Sequence, residues 1–534
     1  MSDLFLGEAK LRGVVVPVKS SVTLPVLHPY TGMDLASALA ERAAALPGKT
    51  FLIWEPVPPG PSRSWTYRSF ADDVSRVAAG LRARGVRDGD AVMLLLENSP
   101  AFLMCLFACA QIGAVSVNTN TRYTADELDH AVSLTRPVGV ITHGSLEPSL
   151  SSIRERPGWI VTIDELSGTP QALFDDSAPL PPRTPDPAAP LCIQFTSGTT
   201  SRPKAALFTH ANALWGGQVG SSNVALRHDD IALVFAPLFH TGGFSWNFLS
   251  AFWAGGTVVL MPKFSATRFW EVSRKHRCTV TFLVSVTLPA LARQEVPEHS
   301  YRVWICGTEI PEVEQRYGVR TFSGWGMTET VSEVLINHAI LRSEPFAIGR
   351  LTPGYAIKVL GDDGEPIMPG EAGALFVQGT RGLSMFAGYY GDPAATSAAF
   401  DPEGYFDTGD LVTLLPGGTV SFVSRAKDML KVGGESVAAA EIERVLCAVP
   451  AVKEAAVVSL PDPVYGEVPV AFITVTSDED ATTALADALA CCTRDLAKFK
   501  VPRSVHLLDE LPTAAMNKIA KGKLRELAVA LARR

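Results

Sequence analysis

Apolar residues recur along this chain at two spacings, and segments of the two kinds alternate. In SFADDVSRVAAGLRAR (69–84) they fall at helical spacing and stop at Gly85, which predicts an amphipathic helix. AVMLLLE (91–97) follows as a short unbroken apolar run, the pattern of a buried strand. ELDHAVSLTRP and then VGVIT repeat the helix-then-strand order, so residues 35–170 read as a layered α/β sheet. The most apolar stretch, AFLMCLFACAQIGAVSV (101–117), follows Ser99 and Pro100, an N-cap and a first helical residue. It is shorter than the ~20 residues a membrane helix needs, and Gln111 and Gly113 interrupt it. A buried helix is expected there, with no membrane span.

Six prolines in DSAPLPPRTPDPAAP (176–190) predict an extended surface connection. Further α/β alternation fills 210–340. From about 350 short strands with glycine turns take over, as in YAIKVLGDDGEPIMPGEAGALFVQG, which predicts a small β subdomain. A last unit begins near 424 and alternates helix and strand. The expected fold is α/β: a multi-subdomain N-terminal domain over 1–423 and a small α+β C-terminal domain over 424–534.

Composition narrows the function. The 534 residues exceed one ordinary core. With 47% hydrophobic and 19% charged residues, the chain has the make-up of a well-buried globular protein rather than a disordered one. A net charge of −8 with no basic run leaves no electrostatic footprint for nucleic acid. The eight cysteines are scattered without a C-x-x-C, so buried thiols in a reducing compartment are expected. MSDLFLGEAK has no basic-then-apolar leader pattern, and a cytoplasmic location is expected.

Candidate chemistry is concentrated in five stretches. FTSGTTSRPKAALFTH (195–210) crowds hydroxyls, a glycine and Lys204 into one loop, a composition suited to phosphate oxygens. It is not a Walker A loop, because no glycine precedes Lys204, and its strand-like flanks predict a hairpin. FSGWGMTET (322–330) sets Trp325 between two glycines, as if to offer its face to a flat ring, with Glu329 as a carboxylate for magnesium. GYFDTGDL (404–411) places Asp410 on an expected tight turn, suited to ribose hydroxyls. SRAKDMLKVGGESV (424–437) and LPTAAMNKIAKGK (511–523) add charged, glycine-rich and lysine-bearing loops. Each alone has an ordinary explanation: a polar turn, a core tryptophan, a turn aspartate, a solvated linker, a solvated lysine.

Together, and in this order over roughly 35–525, the five stretches resemble the acyl-adenylate-forming superfamily, which contains acyl-CoA synthetases, stand-alone adenylation domains and firefly-type luciferases. The resemblance implies that Thr196, Ser197, Gly198, Thr199, Thr200 and Lys204 bind the β- and γ-phosphates of ATP. It places Trp325 beside adenine, framed by Gly324, Gly326 and Met327, with Thr328 near the α-phosphate, Glu329 on magnesium, and Asp410 with Arg425 on the ribose. Gly307 and Thr308 carry over loosely to the nucleotide wall. Ser201, Ala205 and Asn517 stand where the family carries glycine, and Glu309 is a departure without a sequence explanation.

The same resemblance implies that Lys518 is the catalytic lysine of adenylation. It makes Lys427 the hinge of a mobile C-terminal domain, and Lys431, Gly433 and Gly434 the segment that serves thioester formation. His240 marks the acyl- and aryl-acid branch, at the mouth of a pocket walled by Phe244, Trp246, Cys306, Gly324 and Val331. The activity implied is an ATP-dependent acyl-CoA ligase using ATP, Mg2+ and coenzyme A on a small carboxylic acid. An enzyme loading an acyl carrier protein and a nucleotide-binding protein without catalysis are the alternatives, and a luciferase-like oxygenase finds no support in the residues.

Overall fold

The structure is a computed structural model. It describes residues 28–57, 60–176, 180, 183–196, 203–283, 287–307, 309–338, 340–344, 347–425, 428–432, 435–462, 465–476, 481–496, 498–513 and 519–532.

The expected N-terminal alternation is present. The first amphipathic helix is Tyr67–Ala83, started by a Thr66–Ser69 capping box and followed by Gly85 at φ 83°. Pro100–Ile112 is a helix capped by the Ser99 hydroxyl, which accepts from Phe102 N, and closed by Gly113 in the left-handed region. All of its residues except Gln111 are buried. Its neighbours are aromatic: Phe107 packs edge-on against Phe70 and Phe252. Among the described residues no helix is long and apolar enough to cross a membrane.

Two sheets carry the large part. The first has seven strands, in the order Gly388–Tyr389, Ala205–Thr209, Pro190–Phe195, Val115–Asn118, Ala91–Leu95, Gly139–His143 and Trp159–Ile163. Its interior is parallel, and the Pro190–Phe195 and Ala205–Thr209 strands form the antiparallel hairpin that the sequence predicts. The second has thirteen strands. Its parallel centre includes Ile231–Val234, Val280–Phe282, Val303–Gly307 and Arg320–Trp325. The glycine-rich β segment continues this sheet as an antiparallel edge of Ala356–Leu360, Ala372–Gln378, Phe406–Leu414 and Val420–Arg425.

The C-terminal unit has a five-stranded sheet of its own, with Val452–Asp462 and Gly466–Val475 as its long antiparallel pair. A separate cluster built on Ile442, Leu446, Val457, Ile473 and Cys492 fills it. All eight cysteines are free; six are buried, whereas Cys447 is exposed and Cys306 half-buried.

Candidate active site

The hydroxyl-rich loop closes where its strands end. Thr196 N donates to Lys204 O at 2.9 Å, one step beyond the Phe195–Ala205 pair. Residues 197–202 lie outside the described residues, and with them Ser197, Gly198, Thr199 and Thr200. Gly388–Tyr389 pairs along the outer side of the hairpin, with Ala387 N donating to Leu207 O and Tyr390 N to Ala205 O. This pairing sets the Tyr389 ring beside Lys204, whose Nζ stands 4.7 Å from the ring centroid.

Tyr389 also reaches the second sheet. Its hydroxyl donates to Glu329 Oε1 at 2.7 Å, and Phe386 N donates to Glu329 O at 2.9 Å. Burial and the Glu329 charge push the Tyr389 phenol far up, so it stays a neutral donor. Glu329 itself sits in the short 3-10 turn Thr328–Thr330 that follows Arg320–Trp325, and it is 4% exposed. One tyrosine thus ties the lysine of one sheet to the carboxylate of the other. Nothing in the motif-by-motif reading singled out Tyr389; the only signal was its G-Y-Y context (388–390).

Trp325 is less open than its flanking glycines imply. It is 9% exposed, and its indole Nε1 donates to Asp410 Oδ2 at 2.9 Å. Asp410 is not on a tight turn but on the strand Phe406–Leu414, just after a bulge. Leu375 and Phe376 oppose Asp410 and Asp407, so Thr408 and Gly409 are extra residues on that strand. Gly409 takes φ 67°, and Thr408 Oγ1 donates to Leu375 O at 2.6 Å. A bulge turns a side chain without ending the strand, which is why T-G-D serves here inside a sheet. The next strand brings Arg425 directly opposite Asp410.

The acyl wall is only partly as expected. Trp246, in the π-helix Gly242–Leu249, packs edge-on against Phe282 at 5.7 Å. A Cβ at Gly326 would meet Trp246 Cζ2 at 2.9 Å, so that glycine lets the indole close in. His240 lies just before this helix; its Nδ1 accepts from Gly242 N at 3.3 Å. Val331 is fully buried and takes φ 64°, a rare and strained conformation for a β-branched residue.

Phe244 is fully buried and stacks on Phe248 in the core cluster that also holds Trp325 and Val331. One expected wall residue faces elsewhere. Cys306 shares the sheet face of Trp304 and packs in the cluster on the opposite side from Ile305 and Trp325.

Gly307 has φ 80° with open space around its Cα, and Gly324 is half-buried. Met327 N donates to Thr330 Oγ1, and Thr328 is buried. Arg425 and Lys431 stand on the strands Val420–Arg425 and Met429–Val432. Thr308, Lys427, Gly433, Gly434 and Lys518 lie outside the described residues.

Glu309 now has an explanation. It accepts from Asn337 Nδ2 at 2.9 Å and pairs with Arg320 and Arg342, while Glu314 shares both arginines. Burial alone would raise its carboxyl, but Arg320, Arg342, Asn337 and the Ser343 N–H together hold it at about 2. A carboxylate depressed in the fold stabilises it above the ordinary value near 4.5 and loses that contribution as pH falls toward 2. Melting temperature is therefore expected to drop between pH 4.5 and 3 more steeply in the wild type than in Glu309→Gln; parallel curves would disprove the assignment.

The donor set suits magnesium carried by a nucleotide. Among the described residues no cluster of three or more metal-ligating side chains exists, and Glu329 is a carboxylate held by Tyr389, whose ring stands beside Lys204. Magnesium is commonly held in this way, by one or two carboxylates together with phosphate oxygens.

A hairpin whose Lys204 is linked through Tyr389 to Glu329, together with a Trp325–Asp410 pair, on two α/β sheets followed by a small α+β unit, defines a nucleotide-dependent enzyme of the adenylate-forming class. The AMP-binding enzyme family model matches residues 39–390, and the AMP-binding enzyme C-terminal domain model matches 441–518. The chain belongs to the AMP-binding enzyme family. A crotonobetaine/carnitine–CoA ligase of Salmonella paratyphi B is 31% identical over 515 residues, 92% of this chain and 99% of that protein. The anthranilate CoA ligase AuaEII, solved with anthranoyl-AMP, superposes with a TM-score of 0.85 at 25% identity over 95% of this chain and 99% of its own. The o-succinylbenzoate CoA synthetase MenE of Bacillus subtilis, solved with ATP and a magnesium ion, gives 0.80 at 27% identity over 91% and 98%.

Proposed function

We propose that this enzyme is an ATP-dependent acyl-CoA ligase that activates a carboxylic acid as its acyl-adenylate and passes the acyl group to the thiol of coenzyme A. The observation that carries the reading is the convergence of Lys204, Tyr389 and Glu329 at the junction of the two sheets, with Trp325 and Asp410 on the second sheet. The CoA-ligase relatives span nearly the whole chain and support the same reading.

In the first half-reaction a carboxylate oxygen of the acid attacks the α-phosphorus of ATP, and the bond to pyrophosphate breaks. Lys204 and the hydroxyl loop hold the departing phosphates. Asp410 and Arg425 hold the ribose, and Trp325 supports the adenine side, its edge fixed by Asp410. Glu329 is the carboxylate that would hold magnesium, which supplies positive charge to the phosphate oxygens. Lys518 serves this step.

In the second half a thiol sulfur attacks the acyl carbonyl, the carbon–oxygen bond to AMP breaks, and the thiol proton leaves to solvent. Lys431, Gly433 and Gly434 serve that step after rotation about Lys427, with the division between domains at 423/424. Trp246, Phe282, Gly324, Gly326 and Val331 wall the acid, with His240 at its mouth.

The test is pyrophosphate release across a panel of carboxylic acids, with and without coenzyme A, followed by mass spectrometry of the products. An acyl-CoA from one acid class is the expected result. Acyl-AMP that forms but never passes to coenzyme A would replace it with a carrier-protein thiol as acceptor. Nucleotide binding without any pyrophosphate would overturn the ligase reading.

A further inference from the structure

The segment that leads out of the strand Ile231–Val234 and carries His240 is gripped from the first sheet by two buried carboxamides. Asn98, just past the strand Ala91–Leu95, donates from Nδ2 to Ala236 O at 2.9 Å and to Met261 O at 3.2 Å, and its Oδ1 accepts from Leu238 N at 2.8 Å. Gln194, in the strand Pro190–Phe195, accepts at Oε1 from Thr241 Oγ1 at 3.1 Å. Between these anchors the chain turns tightly. His240 N donates to Pro237 O at 3.1 Å, and a Cβ at Gly243 would collide with the carbonyls of Ala236 and Pro237.

Asn98 serves three backbone groups, a sufficient reason for a buried amide. Gln194 is different. It is 1% exposed, as is its register neighbour Asn118 on the adjacent strand. Among the described residues Gln194 Nε2 and both amide atoms of Asn118 complete no hydrogen bond. Enclosed amides in this state cost stability, and an apolar side chain of the same size would fill the place at lower cost. What stability does not explain, position does. Gln194 stands two residues before Thr196, where the hydroxyl loop begins, and Thr241 directly follows His240. One hydrogen bond thus runs from the strand that feeds the phosphate loop to the turn that carries the histidine at the mouth of the acid pocket.

We propose that Gln194 is a positioning residue for adenylation: through Thr241 it holds the His240 turn in register with the hydroxyl loop, and so sets the acid carboxylate against the α-phosphorus of ATP. The inference rests on the ligase reading and goes beyond it. Gln194 is enclosed and acts through Thr241 rather than on either substrate. Its effect is on their mutual alignment, where a displacement of about 1 Å can cost on the order of 10²-fold in rate. The mark of such a role is a lower kcat for pyrophosphate release with the KM values for ATP and acid little changed. In the second half-reaction acyl group and nucleotide are already one molecule, so transfer from synthetic acyl-AMP to coenzyme A does not need this alignment.

The test measures both half-reactions, with an acid that the wild type converts to acyl-CoA, in Thr241→Val, Thr241→Ser, Gln194→Met and the double variant Gln194→Met/Thr241→Val. Thr241→Val and Gln194→Met are each expected to lower kcat for pyrophosphate release by on the order of tenfold, with transfer from acyl-AMP near the wild-type rate. Thr241→Ser keeps the hydroxyl and should keep the adenylation rate. The double variant removes both partners at once and leaves neither half of the pair unmatched, so it should regain thermal stability but not the adenylation rate. A double variant that recovers its rate together with its melting temperature would make the pair structural only. That result, single variants that slow both half-reactions alike, or an unchanged kcat in Thr241→Val overturns the proposal and leaves the ligase reading intact. A wild type that forms no acyl-CoA from any acid overturns both.

Discussion

Glu329→Gln is expected to slow acid-dependent pyrophosphate release by about 10²–10³-fold, the range found when one preorganised electrostatic group is removed from a phosphoryl or acyl site. Glutamine keeps the shape and can still accept from the Tyr389 hydroxyl, so the change removes charge without removing the contact. The magnesium concentration for half-maximal rate should rise with it, because a neutral amide is a poor ligand for a hard cation. Tyr389→Phe is the partner experiment. It leaves the carboxylate but frees its orientation, and a loss on the order of tenfold is expected, as for other groups that hold a metal ligand in place. The double variant should lose less than the product of the two, since both act on one carboxylate. ATP–pyrophosphate exchange against magnesium concentration measures all three. An unchanged magnesium dependence in Glu329→Gln would remove this residue from the site.

Lys518→Ala is expected to lower the adenylation rate by on the order of 10²–10⁴-fold while leaving the transfer of acyl from synthetic acyl-AMP to coenzyme A near its wild-type rate. The asymmetry is the informative part. Lys518 is assigned to the first half-reaction and Lys431 with Gly433 and Gly434 to the second, so the two lysines must fail in different assays. Lys431→Ala should show the reverse pattern, with pyrophosphate release retained and thioester formation slowed. Equal losses in both assays for both variants would mean a single shared role, and the division of labour within the C-terminal unit would fall.

Much of the fold was legible in local pattern. The buried helix after Ser99-Pro100, the helix ending before Gly85 and the hairpin around the hydroxyl loop all follow from caps, periodicity and strand flanks, which act over a few residues. The β-rich segment was legible as strands, but its union with the parallel sheet depends on long-range pairing that periodicity does not encode. T-G-D is a further case. Its composition is that of a turn, and only the facing strand of Leu375 and Phe376 makes it a bulge. Cys306 was assigned to the acyl wall from the resemblance, and the alternation of its strand sends it to the face of Trp304.

By itself the sequence determined the class of chemistry. Phosphate oxygens, a flat base, a sugar and a carbonyl constrain residue types within short contiguous stretches, and those stretches keep their order along the chain. Tertiary structure alone decided which of these residues touch. Trp325 meets Asp410 across 85 residues, and Glu329 meets Tyr389 across 60, because sheet register brings distant strands side by side. The same register encloses Glu333 against Gly220, more than a hundred residues earlier. Burial turns a glutamate that is unremarked in the sequence into a carboxyl with one oxygen that accepts no hydrogen bond, since the cost of enclosing charge exists only once the chain has closed around it.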